Sequence, residues 1–135
     1  MALTSKLDYV SDLRVQATHL QSGSVLLTDA PTDNHGRGEA FSPTDLLATS
    51  LGMCMMTIIG IRCRQHDIPE PAMCAEVEKR MSPAPRRVAE VRLTLYLAGK
   101  LTDAQKTLLE AEGRACPVAL SLHPDLKQAI TFVWE

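Results

Sequence analysis

The order of patterns along the chain predicts an α+β fold with antiparallel strand pairing rather than βαβ winding. Three observations carry it: stretches that alternate apolar and polar residues, one long apolar segment from Phe41 to Gln65, and a second helical segment opening at Thr102. With 135 residues, the chain is expected to form a single domain over residues 1–135, large enough for a core without disulfide or metal staples.

The first strand pattern runs from Leu13 to Leu20, with Leu13, Val15 and Ala17 on one side and Arg14, Gln16 and Thr18 on the other. Gln21-Ser22-Gly23 turns the chain, and Ser24 to Asp29 returns as the second arm of a hairpin. Residues 30–40, APTDNHGRGEA, have the Pro, Asn, Asp and Gly of a loop. Gly36-Arg37-Gly38 is a lone GxG, without the further glycine that a dinucleotide fingerprint requires.

The long apolar segment reads as a helix with capping chemistry at both ends. Ser42 suits the N-cap, Pro43 the first helical position, and Asp45 the third, where its carboxylate can bond back to the cap. Arg62, Arg64 and His66 favour the negative pole of the helix, and Ile68-Pro69 stops it. From Leu46 to Ile61 sixteen residues pass without a charge. The apolar residues go most of the way round, so the helix is expected to be buried on nearly all sides. A membrane span needs about 20 predominantly apolar residues. This run is shorter and carries Thr49, Ser50, Gly52, Thr57 and Gly60, so a core helix is the expectation.

Two further strand patterns follow. Met73, Ala75 and Val77 alternate with Cys74, Glu76 and Glu78, and Val91, Leu93, Leu95 and Leu97 alternate with Glu90, Arg92, Thr94 and Tyr96. Ser82-Pro83-Ala84-Pro85 separates them, which implies an antiparallel hairpin with one face on the central helix. Thr102-Asp103-Ala104-Gln105 is a capping box opening a helix with Leu108, Ala111 and Ala115 on one side, and Gly113 weakens its last turn. Pro117 can start a short helix over Val118 to Leu122, with Cys116 at its N-terminus. Ala129 to Trp134 reads as the last strand.

A net charge of −2 with mixed signs gives no electrostatic case for nucleic acid or an anionic membrane as partner. MALTSKLDYV has no apolar core of the length a signal peptide needs, so a cytoplasmic protein with reduced thiols is expected. Cysteines at 54, 63, 74 and 116 form no CxxC pair and no metal-type spacing with the histidines, so no metal or cofactor is expected. Catalytic, redox-sensing and merely buried cysteine remain as readings.

Thiolate is the reactive form of cysteine, and it needs a nearby positive charge or a helix N-terminus. Cys54 lies three turns inside its own helix, beyond the reach of that helix's dipole. If it is reactive, another element must supply positive potential, with Arg37 and Arg14 as candidates; otherwise it is a small buried hydrophobe. Cys116 stands at a helix N-terminus, a position that lowers a thiol pKa. Cys63 follows Cys54 by nine residues, which at roughly 100° per residue turns it to the opposite face of the helix. Cys74 reads as a bystander. Met53, Met55 and Met56 either fill the core or line an adaptable apolar pocket.

SPTDLLATSLGMC, with its cysteine eleven residues after the helix-initial proline, together with the later CPVALSL, resembles the OsmC and organic hydroperoxide resistance family. TDAP followed by DNHGRGEAFSPTDL is similar to the N-terminal half of an OsmC-like subgroup. The resemblance implies an OsmC-like α+β fold: a long buried central helix covered by antiparallel strands, in an intertwined homodimer. It also implies a thiol peroxidase in which Cys54 attacks an organic hydroperoxide, Cys116 resolves the sulfenic acid as a disulfide, and a dithiol reductant, in some branches a lipoyl-bearing protein, restores both thiols. The chain departs from the family pattern at Thr44, where a glutamate is usual; the carboxylate is displaced to Asp45, which reads equally as a helix cap. The first hairpin turn, Gln21-Ser22-Gly23, lacks the arginine of hydroperoxide resistance proteins, and Arg37 lies in the loop where another branch places its arginine. The alternative is a dimeric protein of the same fold that binds an apolar small molecule or senses redox state with little catalysis.

Overall fold

A strand precedes the first one that alternation signals. In the computed structural model, which describes residues 2–135, β1 (Ser5–Ser11) pairs antiparallel with β2 (Arg14–His19), and β2 pairs antiparallel with β3 (Val25–Asp29). Leu13 belongs to the connecting turn. Asp12 and Leu13 both have positive φ, 52° and 64°, the sign pattern of the tight hairpin turns that Asn-Gly usually fills. The Leu13 N–H donates to the Tyr9 hydroxyl at 3.1 Å, which holds this unusual turn closed. The register sets Leu7, Ala17 and Leu26 in one row and Tyr9, Val15 and Thr28 in the next, on the same face.

The loop after β3 contains a short 3₁₀ turn, Thr32–Asn34. Gly36 comes back against it, its N–H donating to the Pro31 carbonyl at 2.9 Å. A Cβ at position 36 would lie 1.7 Å from the Ala30 carbonyl oxygen, so no other residue fits. The first glycine of the GxG therefore serves loop closure.

Helix α1 (Pro43–Gln65) begins as its sequence predicts. The Asp45 N–H donates to Ser42 Oγ and the Ser42 N–H donates to Asp45 Oδ2, both at 3.0 Å, a reciprocal capping box. At the other end Asp67 takes a left-handed φ of 52° and the Ile68 N–H reaches the Cys63 carbonyl at 2.9 Å, closing the helix as a Schellman-type turn without glycine. By length and composition α1 could cross a membrane, but Ala48, Leu51, Met55, Ile59 and Cys63 are enclosed in the core. Burial on nearly all sides is not what the chain provides. Met53, Thr57 and Ile61, at four-residue spacing, face outward, with Met53 61% exposed. The core formed within Leu47–Glu135 covers one face of α1, and the face of Met53, Thr57 and Ile61 lies outside that core.

The chain divides into two compact units, one ending at Leu46 and the other spanning Leu47–Glu135. In the second, β4 (Ala72–Pro83) and β5 (Arg86–Ala98) form the expected antiparallel hairpin, longer than its alternating core. Val91, Leu93, Leu95 and Leu97 of β5 join the α1 residues in one hydrophobic cluster. β6 (Lys127–Trp134) pairs with β5 in parallel, which corrects the expectation of purely antiparallel pairing. Parallel strands need a crossover of a dozen or more residues, and α2 (Asp103–Arg114) with α3 (Pro117–Ser121) supplies it. Alternation shows which faces a strand has and is silent about its direction.

The α2 capping box forms as expected, Gln105 N–H to Thr102 Oγ1 at 3.1 Å and Thr102 N–H to Gln105 Oε1 at 2.9 Å. Its buried side is Leu109 and Gly113, whereas Ala111 and Ala115 are exposed and Leu108 only partly buried, so the stripe is rotated from the one predicted. Four contacts pin α2: Arg62 Nε to Glu112 Oε2 at 3.0 Å, Trp134 Nε1 to Glu110 Oε2 at 3.0 Å, the Arg114 guanidinium 5.1 Å from the Phe132 ring centre, and Lys106 Nζ 5.5 Å from the Trp134 ring centre.

Candidate active site

The second unit brings two of the four cysteines together. Cys54 projects from the middle of α1, half-buried, and Cys116 is the fully buried N-cap residue of α3. The two side chains lie close enough for Cys54 to perturb the Cys116 thiol, and both thiols are free. Each placement follows from local sequence. Cys116 precedes Pro117, which occupies the first helical position and fixes where α3 starts. α2 ends at Arg114, and the Cys116 N–H still reaches back to the Gly113 carbonyl at 3.2 Å. From β6, Gln128 Nε2 donates to the Ala119 carbonyl at 2.9 Å and ties α3 to the sheet.

The electrostatics of Cys116 correct one expectation. Burial pushes its thiol pKa up, and this outweighs the N–H groups of Ala119 and Val118, which pull it down; the neighbouring Cys54 adds to the rise. The helix N-terminus acts as predicted but is too short and too enclosed to prevail. Cys116 is therefore held as a protonated thiol beside Cys54. Cys63 is buried in the α1 core, its pKa raised by burial first and by Glu70 second. Cys74 lies exposed on β4.

The remaining candidates occupy the first unit. Arg14 is committed to two carboxylates, donating to Glu39 and lying 3.5 Å from Asp29 Oδ2. The hydrogen bond to Glu39 is the main cause that holds the Arg14 pKa above its ordinary value. Asp29, almost completely buried, accepts the Glu39 N–H at 3.0 Å; this bond and the Arg14 charge hold its carboxyl below the usual range. Sequence inspection missed Asp29 and Glu39 as partners of Arg14, and Gln128 as the anchor of α3, because nothing in a linear pattern links residues so far apart. Arg37 is 3.8 Å from Asp12, both exposed. Asp45 caps α1, and Thr44 Oγ1 lies 3.2 Å from Ser42 Oγ in the same first turn. The three methionines around Cys54 do not share one environment: Met55 is fully buried, Met56 packs partly against the core, and Met53 faces outward. Among the described residues no group of three or more His, Cys, Asp or Glu could hold a metal ion.

Two adjacent thiols on separate elements can exchange with a disulfide or close into one; nothing else in the second unit offers comparable chemistry. Comparison with known proteins bears on the family. The model of the OsmC-like protein family matches residues 36–130. A solved structure from Psychrobacter arcticus, of a protein to which an osmotic-stress-induced and detoxification-response role is ascribed, is 48% identical, covers 98% of this chain and 96% of its own, and superposes with a TM-score of 0.92. An organic hydroperoxide resistance protein from Legionella pneumophila shares the fold at 17% identity, with 98% of each chain covered and a TM-score of 0.73. Another from Elizabethkingia anophelis shares it at 14% identity, with 100% and 99% covered and a TM-score of 0.73. No curated protein matches the chain. The family model spans most of the sequence and the Psychrobacter relative nearly all of it, so the chain belongs to the OsmC-like protein family.

Proposed function

We propose that this protein is a cytoplasmic thiol peroxidase that reduces organic hydroperoxides through Cys54 and Cys116. The observation that carries the reading is that the half-buried Cys54 side chain lies near enough to the buried Cys116 thiol to perturb it. The Cys54 thiolate attacks the terminal oxygen of the hydroperoxide and the O–O bond breaks. The alkoxide takes a proton and leaves as the alcohol, and Cys54 becomes a sulfenic acid. Cys116 then attacks the Cys54 sulfur, the S–O bond breaks, its proton leaves with the oxygen as water, and a Cys54–Cys116 disulfide remains. An external dithiol, such as a lipoyl-bearing protein, donates two electrons and becomes a disulfide itself. Names carried by the Legionella and Elizabethkingia proteins agree with this class of substrate.

A homodimer belongs to the same proposal. The apolar face of the first sheet, with Leu7, Tyr9 and Leu26, and the outward side chains Met53 and Ile61 of α1 are surfaces that a second copy would cover. A Cys54 thiolate needs a positive potential, and Arg14 and Arg37 are the candidates to be tested for it. The alternative is an apolar-ligand-binding or redox-sensing dimer; Met53 and Met55 face different ways, so a Met-lined pocket would need more than these two side chains of one chain.

The test mixes the reduced protein with cumene hydroperoxide and follows thiol loss. Wild type is expected to consume the peroxide with formation of the Cys54–Cys116 disulfide, and Cys54→Ser to be slower by at least a hundredfold. Equal slow consumption by the two would sink the enzyme reading. In the same assay, replacement of Arg14 or of Arg37 by methionine tests each as a candidate: unchanged thiol loss removes that arginine from the proposal.

A further inference from the structure

Gly113 lies where α2 crosses α1, and its absent side chain is used. A Cβ there would stand 3.0 Å from Met55 Cγ, 3.2 Å from Ile59 Cδ1 and 3.4 Å from Ile59 Cγ1. These distances are tighter than carbon atoms ordinarily tolerate. Neither neighbour can move aside freely. Met55 and Ile59 are fully buried in the common core, and Ile59 is β-branched, with its first torsion fixed by its own helix. Helix propensity argues against glycine one residue before the end of a helix, because alanine is the better helix former. The position has accepted a poorer helix former and gained a close approach.

What the close approach delivers is Cys116. Met55 follows Cys54 directly on α1, and Cys116 follows Gly113 by three residues with its N–H on the Gly113 carbonyl at 3.2 Å. The contact that seats α2 on α1 is therefore next to Cys54 on one helix and joined to Cys116 on the other. We infer that Gly113 is a positioning residue for the thiol pair: its lack of a side chain sets the Cys54–Cys116 separation and hence the stability of the disulfide between them. The inference rests on the proposed pairing of these two cysteines and does not depend on peroxide as the oxidant. A displacement of a few tenths of an ångström matters because disulfide geometry is specific and a misplaced pair makes a bond that is easily reduced.

The measurement is the equilibrium of the whole protein with glutathione disulfide. Two protein thiols are oxidised to the intramolecular disulfide while glutathione disulfide is reduced to two glutathione molecules, passing through a mixed disulfide. The Cys54–Cys116 bond is quantified by mass mapping. Gly113→Ala is expected to lower the equilibrium constant about tenfold, which raises the reduction potential by about 30 mV, while the folded fraction stays at the wild-type level. Adding Ile59→Val, which deletes the methyl at 3.2 Å, is expected to restore part of the loss. Met55→Ala in the same background, which removes the atom at 3.0 Å, is expected to restore more. If one double variant fails to fold, the other decides. A wild-type potential in Gly113→Ala, or a loss that neither second substitution relieves, overturns the assignment of Gly113. Absence of any Cys54–Cys116 disulfide in the wild type overturns instead the pairing on which it rests.

Discussion

The two three-stranded sheets of this protein are written in the same alternating code and end in opposite situations. In the second sheet Val91, Leu93, Leu95 and Leu97 are at most 1% exposed, packed with α1 in a core of their own unit. In the first sheet β1 is exposed along its whole length, and Leu7 and Tyr9, in register with apolar neighbours on β2, remain 68% and 67% exposed. Alternation separates a strand's two faces, but burial needs a partner surface, and only the second sheet finds one within its own unit. Both cysteines of the candidate site, Cys54 and Cys116, belong to the unit that has the core. A reacting pair must be held to within a fraction of an ångström, and packed side chains do that better than an uncovered sheet.

That contrast can be broken from either side. Leu93→Ala removes a side chain from the centre of the covered sheet and is expected to cost about 2–5 kcal/mol, read by urea denaturation at fixed protein concentration. A loss below about 1 kcal/mol, the range of a surface change, would mean that the second sheet is not the main core. Leu26→Asp places a charge on the apolar row of the first sheet. It is expected to weaken the proposed self-association at least tenfold, or about 1.4 kcal/mol, measured by sedimentation equilibrium, with the monomer's secondary structure retained. Unchanged association would show that a second copy does not cover this face.

The smallest effect concerns the polar edge of the first unit. Asp29 has a folded pKa below its ordinary value, held there by the Glu39 N–H and the Arg14 charge. A depressed carboxyl stabilises the fold above its unfolded pKa and loses that contribution as the pH falls through the folded one. Wild-type melting temperature should therefore decline as the pH drops below about 4, and Asp29→Asn should show a flatter acid limb. Parallel acid limbs for the two proteins would remove Asp29 from the account.

What could be read in advance was local. Ser42 with Asp45 and Thr102 with Gln105 form their capping boxes as predicted, because the partners are three residues apart and the geometry of a first helical turn brings them together. The β4–β5 hairpin was legible for a similar reason, with its turn residues lying between two alternating runs. β1 was not, because Asp12-Leu13 adopts its turn without the glycine that signals one. The parallel direction of β6 and the rotated stripe of α2 also escaped, since both depend on which neighbour an element meets. At the site, the sequence could name Cys54 and Cys116 as the thiols worth watching, while the carboxylates that engage Arg14 and the glutamine that anchors α3 carried no signal.

By itself the sequence determined the helices, their starting points, the faces of most strands and the placing of a cysteine before Pro117. These are consequences of hydrogen bonds and periodicities that span only a few residues. Tertiary structure alone decided how Cys116 is brought beside Cys54, that burial outweighs the helix N-terminus at Cys116, and that Gly113 lies at a crossing of helices. Each of these is a contact between residues dozens of positions apart, set by how the core packs, and close packing is a property of the assembled elements that no single segment contains.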